Sequence, residues 1–199
     1  CSSLESIEIP SSVTSIGDSA FSRCSSLESI EIPSSVTSIG EGAFRDCSGL
    51  TSVSLPSSVT SIGHGVFNGC SGLTGNLEIP EGVTSIGRGV FDGCSGLTSV
   101  SLPSSVTSIG STAFSGCSSL TSIAIPEGVT SIGSYAFKDC TSLASLTINT
   151  QAGYVWQKAS SGSSSASWET VNVSNPKQNA TWFKETSGYF NYYWRQIAA

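Results

Sequence analysis

The sequence predicts a β-rich solenoid of 23-residue coils joined by a parallel sheet, followed by an aromatic-rich C-terminal capping segment. Three observations predict it. A cysteine recurs at positions 1, 24, 47, 70, 94, 117 and 140. Around it each unit repeats the pattern C-x-x-L-x-x-[IVL]-x-[IL]-P-x-x-V-T-S-I-G-x-x-[AV]-F-x-x. The pattern fades after Ile148, and the composition changes sharply after Thr150. Self-similarity at a fixed period of about 20–50 residues marks stacked repeats, because one unit cannot bury its apolar face alone. Full units run 1–23, 24–46, 47–69, 70–93, 94–116 and 117–139, and a truncated seventh begins at Cys140. The chain therefore divides into a repeat array, 1–149, and a tail, 150–199.

The second unit justifies each element in turn. Ile30 and Ile32 lie two residues apart, so both point to one side of a short strand while Ser29 and Glu31 point to the other. Pro33 has no N–H for a ladder and ends the strand. Val36 and Ile39 turn inward again, through a second strand of two residues. Gly40 is expected where φ is positive or where a neighbouring coil's backbone comes close. Ala43 and Phe44 fill the coil's centre, and Phe21, Phe44, Phe67, Phe91, Phe114 and Phe137 form a column. Cys47 opens the next coil. One cysteine per coil, stacked in a line, suits a small buried hydrophobe better than a disulfide or a convergent metal site. The fourth unit is one residue longer, LTGNLEIP where its neighbour reads LTSVSLP, and Gly75-Asn76 is expected to bulge.

The columns Leu4 to Leu143, Pro10 to Pro126 and Ile16-Gly17 to Ile132-Gly133 carry a resemblance. Over residues 1–149 the units resemble the BspA-like, or treponemal-type, leucine-rich repeats of bacterial surface proteins. That resemblance implies a right-handed leucine-rich repeat array, extracellular display at the cell surface or in secreted form, and binding of host protein or matrix. It names no ligand.

Composition narrows the partners. Net charge is −6 and pI near 4.6, which disfavours nucleic acid, since phosphate contacts need clustered Lys and Arg. No run of about 18 apolar residues occurs, so membrane insertion is not expected. The sheet face is a hydroxyl surface with an acidic row at Glu8, Glu31 and Glu78, without the Trp, Tyr or Arg that anchor interfaces; it reads as solubilising or, alternatively, as a ligand face. A Thr-Ser column, Thr14-Ser15 to Thr130-Ser131, suits side-chain-to-backbone bonding in a tight coil. Variation between units concentrates at the turn edge flanking the [AV]-F pair, at Arg23, Arg45, His64, Arg88, Tyr135 and Lys138. If the solenoid has a specific partner, this edge is where it is expected.

The tail holds all four tryptophans, ten of the seventeen aromatics and four of the eight basic residues. Residues 154–157 and 168–173 alternate like strands, Asn175-Pro176 suits the start of a short helix to about Lys184, and 189–197 reads as a final strand. The last rung of a solenoid must be covered, which makes a cap the first reading. An aromatic patch at Tyr192 and Trp194 that binds glycan or protein is the rival. The first coil has no cap, so its open face is expected to continue into further repeats or to contact another molecule.

Enzymes need convergent, tuned groups. The only histidine, His64, sits at a position filled by Asp, Glu, Arg or Ser in sister units, and no phosphate loop, metal-spaced cluster or nucleophile–base set accompanies it. The expectation is a non-enzyme without cofactor or metal: an adhesin-like binding module for host protein, matrix or glycan. Its rival is a structural spacer that displays another domain on the cell surface.

Overall fold

A computed structural model describes residues 1–148, 154–159, 169–171 and 193–198. Within 1–148 the chain winds as a parallel-sheet β-solenoid with 23-residue spacing, and no helix occurs among the described residues. Each regular coil has three sides. The first carries the longer strands β2 (Ser29–Glu31), β4 (Ser52–Ser54), β6 (Gly75–Glu78), β8 (Leu97–Ser101), β10 (Ser122–Ile125) and β12 (Ser145–Ile148). The second carries two-residue strands, β1 (Ser15–Ile16), β3 (Ser38–Ile39), β5 (Ser61–Ile62), β7 (Ser85–Ile86), β9 (Ser108–Ile109) and β11 (Ser131–Ile132). The third is the turn edge. Pairing is parallel and in register, as in Ser29↔Ser52 and Ser38↔Ser61.

The expected columns are sealed inside. Phe44, Phe67, Phe91, Phe114 and Phe137 are buried, and with Phe21 they form one stack with ring centroids 5.3–5.7 Å apart. Each ring lies nearly parallel to the next at a distance suited to offset stacking. Phe21 is only partly buried and Ile7 is 38% exposed, both in the first coil. Gly40 does not need positive φ. Of its two expected roles it has the second: a Cβ there would lie 2.6 Å from the Asp18 amide nitrogen and 2.7 Å from the Gly17 backbone.

The thiols are free and, beyond Cys1, buried. The column has a polar reason as well as a steric one. From Cys47 onward each thiol donates to the carbonyl of a Phe in an earlier turn: Cys47 to Phe21 and Cys70 to Phe44, both at 3.0 Å, and Cys94 to Phe67 at 3.1 Å, with Cys117 and Cys140 continuing the series. Burial pushes Cys47 up to about 11 and Cys140 up to about 12, and it raises Cys94 well above the usual thiol range.

The turn edge builds its own ladder. Residues at two positions per coil take left-handed φ: Ser19, Gly42, Gly65, Gly89, Thr112 and Tyr135 at one, Arg23, Asp46, Gly69, Gly93, Gly116 and Asp139 at the other. Alternate N–H groups then point at the next coil, as Gly42 N–H to His64 O (2.9 Å) and Phe44 N–H to Val66 O (2.9 Å). The Thr column bonds between coils rather than within one, Thr37 Oγ1 donating to Thr14 O and Thr60 Oγ1 to Thr37 O.

One junction differs. The extra residue of the fourth coil does form the expected bulge, with a register shift between Gly75 and Asn76 and Gly75 at φ 76°. Both strand ladders stop between the third and fourth coils: β2 pairs with β4 but β4 does not pair with β6, and β5 does not pair with β7. Thr74 N–H still reaches Thr51 O at 3.2 Å, and the turn ladder crosses intact through Gly65 to Arg88, Phe67 to Val90 and Gly69 to Asp92. Val53 and Leu55, beneath the break, are only partly buried. Adding one residue lengthens the coil's perimeter, and the segment between Gly75 and Gly87 follows the fifth coil instead of the third.

In the tail, β13 (Tyr154–Ala159), β14 (Glu169–Val171) and β15 (Tyr193–Ala198) fall on the three expected strands, and the start of the last, 189–192, lies outside the described residues. Strand β15 lies antiparallel against β11, with Ile132 opposite Trp194, and β13 pairs with β15 and β14. The expected helix near residues 176–184 lies outside the described residues.

Candidate ligand groove on the turn edge

Three of the predicted edge residues come together. Arg45, His64 and Arg88 line one groove of about 360 Å³ with Glu41, Asn68, Asp92, Thr112 and the glycines 42, 65 and 89. The repeat explains the shape. Glu41, His64 and Arg88 occupy the position before the first left-handed residue in coils two, three and four. Arg45, Asn68 and Asp92 occupy the position three residues after it. The left-handed residue between them is glycine in these three coils and Ser19, Thr112 or Tyr135 in the others. The floor is therefore bare where the walls are tallest. A Cβ on Gly65 would meet nothing nearer than Asn68 Cβ at 3.7 Å, so the absent side chain is what leaves the groove open.

One wall residue, His64, also holds the coils together, as does a residue of the same row outside the groove. Asp18, in the row of His64, accepts the Glu41 N–H at 2.8 Å. His64 repeats this with its ring, Nδ1 accepting the Arg88 N–H at 3.0 Å. A neutral His64 then carries its proton on Nε2. Asp92 is half-buried. Burial raises its carboxyl above the ordinary range, while a bond from Ser115 and the charges of Lys138 and Arg88 pull the other way.

The other predicted residues lie apart from this groove. Arg23 pairs with Asp46 at 3.8 Å, and Arg45 reaches the same carboxylate at 3.7 Å, both in solvent. Tyr135 is 40% exposed, with Lys138 Nζ 5.9 Å from its ring centre and 3.8 Å from Asp139. On the sheet face, Glu8 and Glu31 line one depression with Ile7, Ile9, Ser11 and Pro33. Glu78 lines a different one beside the interrupted junction, with Leu55 and Glu81. The acidic row is thus two places. Trp194 has a described backbone only, and Tyr192 lies outside the described residues.

Sequence reasoning missed Asn68, Thr112 and the glycine floor. The signal was present, since glycine occupies the first left-handed position in three consecutive coils and nowhere else in that row. Among the described residues no three His, Cys, Asp or Glu side chains converge as a metal would need, and no helix is long and apolar enough to cross a membrane.

Comparison with known proteins agrees with the repeat. Six copies of the model for the BspA type leucine rich repeat region match residues 1–76 and 73–186. A leucine rich repeat protein from T. pallidum is 34% identical with a TM-score of 0.66, over 71% of this chain and 68% of that one. A leucine rich cell surface protein from Faecalibacterium prausnitzii is 33% identical with a TM-score of 0.61, over 88% of this chain and 55% of that one. A leucine-rich repeat protein from Bacteroides ovatus is 28% identical with a TM-score of 0.54, over 75% of this chain and 50% of that one. The chain thus spans about half the length of the last two. No curated protein matches. With the family model covering most of its length, this chain belongs to the BspA-type leucine-rich repeat family.

Proposed function

We propose that this chain is a non-catalytic, adhesin-like binding segment of a cell-surface or secreted protein, recognising a partner outside the cell through its turn edge. One observation carries the reading: three of the residues at which the coils differ most, Arg45, His64 and Arg88, line one groove, whereas the repeated columns are spent on the core and the ladders. Residues that vary on a fixed scaffold are where a solenoid places recognition. The family is generally a non-catalytic repeat scaffold, and the Faecalibacterium neighbour is described as a cell surface protein. Both support the reading.

The test replaces Arg45, His64, Arg88 and Lys138 together by Ala and screens parent and variant against matrix proteins and glycans. Loss of the parent's binding, with the repeat fold intact, is expected. Binding unchanged by the four substitutions would contradict it. The rival is a spacer that displays another domain. It is favoured by the caps that Asp18 and His64 place on the next coil, which give edge residues a purely structural use.

A further inference from the structure

Resting on that reading, we infer that the groove takes an uncharged, hydroxyl-rich chain, a neutral glycan lying along the solenoid axis across the second to fourth coils. The first support is charge. Glu41 and Asp92 balance Arg45 and Arg88, and the order reverses: acid faces base across the floor in coil two, base faces acid in coil four, with His64 and Asn68 between. A polyanion or a basic peptide meets no net field in such a groove.

The second support is the floor. Gly42, Gly65 and Gly89 give their N–H groups to His64, Arg88 and Ser111, and their carbonyls accept from Arg45, Asn68 and Asp92. A polypeptide added as an extra strand needs free main-chain donors and acceptors, and here they are already engaged. The third support is the lining itself, which holds no Trp, Tyr, Phe or large aliphatic side chain; of the residue types that anchor protein interfaces it has Arg45 and Arg88 alone. What the walls offer is two-pronged hydrogen bonding: carboxylate acceptors, guanidinium donors and an amide with both. Neighbouring hydroxyls on a sugar ring donate and accept in pairs and match those groups. Coil-to-coil spacing of about 5 Å sets the pitch at which such groups recur.

The test exploits the single histidine. Its imidazole NMR signals report on this groove alone. The intact chain is titrated with maltohexaose, cellohexaose, mannohexaose and chitohexaose, and separately with a heparin hexasaccharide and with gelatin. At least one neutral hexasaccharide is expected to move the His64 signals, with an affinity that hardly changes between low and high salt. Gly65→Asn fills the floor with a side chain that tolerates left-handed φ, in a row where Ser19 and Thr112 already sit. It should weaken that binding about tenfold or more. Asp92→Asn, which leaves the floor open, should weaken it less. If gelatin or heparin moves the His64 signals and the neutral sugars do not, the glycan assignment falls while a binding edge stands. If nothing in the panel moves them, both fall.

Discussion

The junction between the second and third coils and the junction between the third and fourth use the same residue types and hold together differently. At the first, all three sides are laced: β2 to β4, β3 to β5, and the turn ladder. At the second, both strand ladders are absent and the turn ladder, the Phe67–Phe91 stack at 5.7 Å and the Cys94 thiol bond remain. Further bonds go with the strands. Ser58 Oγ donates to Val36 O at 2.7 Å, whereas the matching residue one coil on is Gly82, without a hydroxyl. A repeat solenoid is stabilised by neighbour-to-neighbour terms, so one inserted residue lowers one term without touching the others. The candidate groove crosses that junction on the side that stays laced, His64 and Arg88 meeting over it.

The largest expected effect breaks what the two junctions share. Phe67→Ala removes a buried ring from the middle of the stack and should cost about 3–5 kcal/mol in denaturant unfolding. A cost below about 1 kcal/mol would mean the column is not the core at this junction.

Next comes repair of the weak junction. Deleting Gly75 restores the common spacing and should let β4 pair with β6 and β5 with β7. With several hydrogen bonds at about 0.5–1.5 kcal/mol each, stability should rise. An unchanged or lower midpoint would show that the insertion is not what parts the ladders.

The thiol column crosses both junctions, so it titrates as a property of the whole stack. Burial raises the folded-state values, to about 11 for Cys47 against 9.0 for an ordinary thiol. The folded state therefore holds protons that the unfolded state has lost. That contribution is complete below about pH 9 and declines as pH climbs through 11, so unfolding midpoints should fall over that window. Midpoints flat from pH 8 to 11 would contradict the burial. In the native state a thiol reagent should label Cys1 quickly, and labelling of Cys70 or Cys94 ahead of Cys47 would show the weak junction gaping to its core.

The smallest effect is at the exposed ion pairs. Arg23→Ala breaks the contact with Asp46 where the arginine side chain is 81% exposed, and should change stability by about 1 kcal/mol or less.

Much of this could be read in the sequence because a solenoid writes each contact once per coil. The period placed Phe44, Cys47 and Ile39 inside, the two-residue strand followed from the inward pair Val36 and Ile39, and LTGNLEIP announced the bulge. What the insertion does to its neighbours could not be read. Gly75 marks an extra residue, but whether the fourth coil keeps its bonds to the third or to the fifth depends on the geometry of three coils at once. The groove was half legible. Variation pointed to Arg45, His64 and Arg88, while the wall-and-floor arrangement needs the left-handed alternation that brings positions three residues apart to either side of a glycine. Arg23, Tyr135 and Lys138 vary as much and lie elsewhere, since variation alone does not say which residues share a concavity. The antiparallel return of β15 onto β11 has no local signature, because nothing in 193–198 specifies its partner.

Amide hydrogen exchange tests the contrast most directly. Thr107 and Gly110 donate to Thr84 and Ile86 across a laced junction, and should exchange slowly. Their counterparts Thr84 and Gly87 face the interrupted one and should exchange far faster, while Phe67 and Gly69, on the turn side of that same junction, stay protected. Equal protection of Thr84, Gly87 and Phe67 would mean that the third and fourth coils are joined like any other pair.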